Sequence, residues 1–163
     1  EYRLQSEMGS LVDLDGRFDL VLSSETLQRL TAADRQTFIN QLLRLSPRVA
    51  VFAPNDDNPA HTSQSGLSGL QLAELENLVA QGIESINGDV SQISVQTDYI
   101  DMPPFPPGIT RTEEQREHAT TGSGEAFAMW GLGYFAQLER LFPHQWRRSK
   151  AHIVFALIDN FQR

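Results

Sequence analysis

The 163-residue chain contains no cysteine. Disulfides, zinc–thiolate sites and cysteine nucleophiles are thereby excluded. Cationic charge is scarce as well: 13 Lys and Arg stand against 21 Asp and Glu, a net charge of −8. That balance argues against a nonspecific nucleic-acid or anionic-membrane surface, since both need a cationic face. The one local exception, Arg147-Arg148-Lys150, is short and reads as a solvated helix end. No apolar run reaches the roughly 18 residues of a membrane span, and the N-terminus has no signal-peptide pattern. A cytoplasmic location is therefore expected. The chain opens on Glu1 instead of Met, which makes an internal start the expectation. A glycine-rich turn joining a strand to a helix is also missing. Gly9-Ser10 forms no such loop, and Gly122-Ser123-Gly124 follows a polar stretch.

What is present is ordinary for a globular domain: 40% apolar and 21% charged residues, enough chain for one domain over 1–163 with its own core. The pattern centres on residues 16–30. Phe18, Leu20, Val21 and Leu22 form a nearly continuous apolar run, as in a strand covered on both faces. Ser23, Ser24 and Glu25 then place small and charged groups at its carboxyl end, the edge where open α/β sheets bind ligands. A helix is expected to begin near Thr26, with Glu25 available to cap it. Residues 31–46 predict a further helix. Thr31 caps it with Asp34 in a variant capping box, and Phe38, Ile39, Leu42, Leu43 and Leu45 form its apolar stripe before Pro47. Residues 48–53 read as the next strand. A strand, helix and strand of this length make a right-handed parallel crossover. The polar loop 54–61 thus lies on the same edge as Ser23–Glu25, and the two loops define the expected pocket.

Further along, Ser68 with Gln71 predicts a capped helix start, and Leu72, Leu75, Leu78 and Val79 its buried face. Gly82 suits the left-handed position after its end. Ile93, Val95, Thr97 and Tyr99 alternate in a strand over 92–100. Residues 101–108 are stiff and proline-rich. Phe127, Trp130, Tyr134, Leu138 and Leu141 recur at helical spacing over 124–142. The terminal run 151–159 is a strand too apolar to be an edge in water.

The segment 16–30, followed by a helix and then Arg48-Val49-Ala50-Val51-Phe52-Ala53-Pro54-Asn55, resembles the fourth strand, fourth helix and fifth strand of class I S-adenosylmethionine (SAM)-dependent methyltransferases. It follows the family's FDxVxxxxxLxHL pattern, with Gln28-Arg29 replacing the more usual acidic-His pair. The resemblance implies a partial Rossmann-like α/β sheet, mostly parallel with an antiparallel C-terminal strand, and helices on both faces. It places the chain from about the third strand onward, without the glycine-rich cofactor loop. It implies methyl transfer from SAM to an unidentified acceptor beneath a covering excursion at 101–146, this chain being the incomplete C-terminal part of the enzyme. Glu7 and Met8 would meet the adenine, with Asp13 a second candidate. Ser23, Ser24, Glu25 and Leu27 would line the methionine part. Asn55 and His61 would contact substrate, His61 being a weak candidate for a base.

Without the family's first strands the fourth would be unpaired on one side, so an N-terminal segment or a partner chain is expected to cover it. The alternative is a non-catalytic, methyltransferase-derived interaction module. A hydrolase built on Ser24, His61 and Asp57 lacks the glycine-flanked nucleophile elbow. Asp56, Asp57 and His61 have no recognised metal-ligand spacing, and no metal is expected.

Overall fold

The computed structural model describes residues 18–58, 68–86, 92–102 and 138–160. In chain order they form β1 (Val21–Ser24), α1 (Ala32–Leu45), β2 (Arg48–Pro54), α2 (Leu72–Ser85), β3 (Ile93–Ile100), α3 (His144–Lys150) and β4 (Ile153–Asn160), with 3-10 turns at Leu27–Arg29 and Glu139–Leu141. The four strands make one sheet in the order β1-β2-β4-β3. β1 and β2 are parallel, and β4 runs antiparallel to both β2 and β3. Three strands therefore share one direction, while the C-terminal strand opposes them from the sheet interior. Its composition explains the position: Val154, Phe155, Ala156 and Ile158 are all buried. No helix among the described residues is long and apolar enough to cross a membrane.

Side-chain alternation divides the sheet into two faces. Val49, Val51 and Ala53 of β2 and Val154, Ala156 and Ile158 of β4 belong to one core with Ile39, Leu42 and Leu43 of α1 and Leu75, Val79 and Ile83 of α2. Burial of each large member stabilises the fold by about 1.5–3 kcal/mol. α1 starts as its sequence predicts: Thr31 Oγ1 accepts from the Asp34 backbone N–H and donates to Asp34 Oδ2 at 2.6 Å. α2 departs from expectation at both ends. Its N-cap is Gln71, without a side-chain hydrogen bond. Ser68 lies outside the helix because the next two backbone N–H groups are taken elsewhere: Gly69 N–H donates to Asp56 Oδ1 and Leu70 N–H to the Pro54 carbonyl. Gly82 does not end the helix, which continues to Ser85. It is instead a point of close approach between α1 and α2, since a Cβ there would lie 2.8 Å from Leu43 Cδ1 and 3.1 Å from Ile39 Cγ2.

The second face carries Leu22, Ala50, Phe52, Phe155 and Leu157. Phe52 and Phe155 face each other across the β2–β4 pair, and Leu22 and Leu157 are exposed. β1 is an edge strand whose one partner among the described residues is β2. The expectation of a strand covered on both faces is corrected here: Leu20 and Leu22 are exposed, and the strand begins only at Val21. The helix expected near Thr26 is a single 3-10 turn, because Leu30 returns to extended backbone (φ −95°, ψ 150°) before α1. The proline-rich stretch beyond Met102 and most of the aromatic pattern over 124–142 lie outside the described residues.

Candidate functional site

β1, β2 and β3 all end at one edge of the sheet, where β4 begins. In open α/β sheets this carboxyl edge is the ligand-binding edge. Glu25, just past β1, and Asp101, just past β3, have φ of 54° and 63°. They are the non-glycine residues with left-handed backbone among those described. Such a conformation costs about 1–3 kcal/mol and survives only where the surroundings impose it. The Glu25 N–H donates to the Phe52 carbonyl at 3.0 Å, and the Asp101 carbonyl accepts from His152 N–H at 3.1 Å. Both kinks are thus fixed by the neighbouring strand.

At the exit of β1 the polar groups are poorly matched. Ser23 is 5% exposed and its Oγ has no hydrogen-bond partner. Gln28, in the turn that follows, is 8% exposed and its Oε1 has none either. Leaving a buried polar atom unpaired costs about 1–3 kcal/mol. Leu27 is fully buried between them in sequence. Its carbonyl accepts from Arg35 Nε at 3.0 Å, and Arg35 pairs with Glu74, so α1 and α2 together anchor the turn. Ser24 and Glu25 are exposed. Glu25 does not cap the turn: its N-cap is Thr26, without a side-chain cap. The sequence marks Gln28 only as a departure from the family pattern, and nothing in it singles the carboxamide out as a site residue.

The exit of β2 is the opposite. Asn55 is completely buried. Its Nδ2 donates to the Arg148 and Ala151 carbonyls at 2.8 and 2.9 Å, and its Oδ1 accepts from Asp57 N–H at 3.0 Å. Asn58 Nδ2 donates to the Lys150 and Ala151 carbonyls, both at 3.1 Å. The two asparagines satisfy carbonyls at the end of α3 that the helix itself leaves open. Asp57 Oδ1 pairs with Arg148 at 2.9 Å, and its Oδ2 accepts from the Tyr99 hydroxyl at 3.2 Å. Burial, and then the negative charge of Asp57, push the Tyr99 phenol up to about 12. Arg147 pairs with Asp98 through Nη1 while its buried Nε has no partner, and the His144 ring stands edge-on to Tyr99 at 5.2 Å. Residues 54–58 of the loop expected to meet substrate therefore clamp α3, with the Asn55 side chain held inside the chain.

At the third corner, His152 Nδ1 lies 3.3 Å from Asp101 Oδ2, and the His152 carbonyl accepts from Asn55 N–H at 2.8 Å. His61, which the sequence singles out for this edge, lies outside the described residues; among those described, His152 stands here and His144 stands beside Tyr99. Beside it the Met102 N–H donates to Glu139 Oε2 at 3.0 Å, with Glu139 buried. The chain leaves for residues 103–137 and returns through this neck. Glu7, Met8, Asp13 and His61 lie outside the described residues.

This sheet is part of a Rossmann-like methyltransferase fold. No protein-family model matches the chain, and no curated protein sequence is similar to it. Solved structures are similar. A SAM-dependent methyltransferase from Archaeoglobus fulgidus superposes with a TM-score of 0.50 at 13% identity, over 91% of this chain and 62% of that one. The plantazolicin methyltransferase BpumL, in complex with SAH, gives 0.45 at 14% identity, over 93% and 56%. Its counterpart BamL, in complex with a triazolic desmethylPZN analog and SAH, gives 0.46 at 10% identity, over 92% and 56%. The fold rests on the first of these. The chain spans about three fifths of that protein's length.

Proposed function

We propose that this chain is the C-terminal part of a SAM-dependent methyltransferase. The observation that carries the reading is the exit of β1, where the fold binds its ligand and where Ser23 Oγ and Gln28 Oε1 are buried without partners. Orphaned polar atoms of this kind fit a polar ligand end, and the amino-acid end of SAM presents both donors and acceptors. When bound, the cofactor supplies an already activated methyl group, so the protein's task is positioning. Ser23, Ser24 and Glu25 line the cofactor here, with Leu27 backing them from the core. Glu7 and Met8 contact the adenine, His61 contacts the acceptor, and residues 101–146 cover it. The edge of β1 that has no partner among the described residues, with Leu20 and Leu22 exposed beside it, takes a further strand from an N-terminal segment, which also brings the glycine-rich loop, or from a partner chain.

Calorimetric titration with SAM tests this on two proteins, this chain and a longer product of its reading frame. Binding by the longer product alone is the expected result and locates cofactor recognition partly upstream. If both proteins are folded and neither binds, the methyltransferase reading fails and a non-catalytic interaction module replaces it.

A further inference from the structure

The stretch 138–150 differs in character from the rest of the chain. Leu138, Leu141 and Trp146 are 51%, 79% and 62% exposed. Leu138 leads into the 3-10 turn at Glu139–Leu141, and Phe142, the next residue, stacks on Trp146 with ring centroids 6.2 Å apart and planes 12° apart. Phe142 itself packs against the core, so the surface is pinned to the fold. Around these apolar groups stand Arg140 and Lys150, both exposed and without an ion pair among the described residues. Arg148, paired to Asp57, is still 56% exposed. The one acid of the stretch, Glu139, is buried against the Met102 N–H. A chain with a net charge of −8 thus gathers cations and protruding apolar side chains on one short surface.

We propose that this surface docks on an anionic lipid bilayer. Exposed tryptophan and leucine flanked by arginine and lysine is the combination that partitions into the headgroup region, the rings and aliphatic tips entering while the cations meet lipid phosphates. The shape favours lipid over a protein partner. A stable protein interface engages roughly 20–30 residues a side, more than this stretch contains, whereas three protruding side chains with flanking cations suffice for reversible attachment to a bilayer. The net negative charge of the chain orients the contact, since negative lipid repels acidic surface and attracts this cationic stretch. Because Asn55 and Asn58 tie α3 to the exit of β2, docking sets the carboxyl edge beside the headgroups.

The test is co-sedimentation of the full chain with two kinds of vesicle, pure phosphatidylcholine and phosphatidylcholine with about 30% phosphatidylglycerol. Binding to the anionic vesicles at low salt, about tenfold stronger than to the neutral ones and weakened by added salt, is expected. In a Trp130→Phe background the emission of Trp146 should shift to the blue as vesicles are added. Leu138→Glu with Leu141→Glu, and separately Arg140→Glu with Lys150→Glu, should each reduce binding about tenfold or more. Circular dichroism would establish that both variants are folded. Absence of anionic-vesicle binding by the folded parent chain overturns the proposal. So does binding that the leucine variant leaves unchanged. A parent chain that self-associates in sedimentation velocity without binding vesicles, and is made monomeric by the leucine substitutions, would identify a contact between copies instead.

Discussion

The exits of β1 and β2 are neighbours in register, Ser24 opposite Phe52, yet they have opposite physical states. At β2 the polar side chains of Asn55, Asp57 and Asn58 are engaged with α3, β3 or their own loop. At β1 the backbone is left-handed at Glu25, and two polar atoms on either side of it are buried without partners. The first arrangement is what stability alone produces, because buried polar groups are normally paired. The second is unfavourable in isolation and makes sense when something else completes it. The richer supply of charged and amide groups follows β2, but the better candidate site follows β1.

This contrast can be broken by substitution. The largest effect is expected at Gly69, whose Cβ would lie 2.3 Å from the Pro54 carbonyl oxygen, a backbone atom that cannot yield. Gly69→Ala should lower unfolding free energy by about 3 kcal/mol or more in a urea titration. Next comes Asn55→Ala, which removes both bonds to the end of α3 and the acceptor for the Asp57 N–H, leaving the Ala151 carbonyl to Asn58 alone. About 3 kcal/mol is expected on the same assay. A clamp that was only decorative would lose less than 1 kcal/mol. On the β1 side the sign reverses. Gln28→Leu and Ser23→Ala remove unpaired acceptors and should leave the unliganded protein unchanged or more stable by up to about 1 kcal/mol, while weakening SAM binding in the longer product. Destabilisation by either would mean that these atoms are satisfied within the fold. Glu25→Gly should have the smallest effect, a gain of about 0.5 kcal/mol from relieved backbone strain offset by lost chain rigidity.

The clamp also has a signature in alkaline solution. The Tyr99 phenol ionises at about 12 in the folded chain against 10.0 for an unperturbed tyrosine, the neutral form being favoured by burial and by Asp57. Its contribution to stability is therefore complete below pH 10 and is lost as pH rises toward 12. Tyr99→Phe should flatten that alkaline decline in pH-dependent unfolding. Absorbance titration near 295 nm would locate the delayed ionisation directly.

Much of the scaffold could be read from the chain itself. α1 was legible because Thr31, Asp34 and the stripe through Leu45 give the same answer at the cap and on the face. β4 was legible because a run as apolar as Ile153–Ile158 has to lie inside a sheet. The misread features share a cause: one residue type has two physical uses. Gly82 fits a helix end and equally a close helix crossing, and only the position of α1 decides between them. Leu20 and Leu22 have the same letters whether a neighbouring strand covers them or not. Asn55 looks like a ligand contact until α3, distant in sequence, arrives with carbonyls to satisfy. Gln28 could not be ranked, because an unpaired acceptor is defined by its surroundings.

The neck at Met102 and Glu139 is a single point of control. One buried hydrogen bond, with the His152–Asp101 contacts beside it, closes the sheet side of the chain before residues 103–137 begin and after they end. Two points 37 residues apart in the chain are thus held by a single carboxylate, so one substitution at Glu139 would loosen the end of β3 and the approach to α3 together.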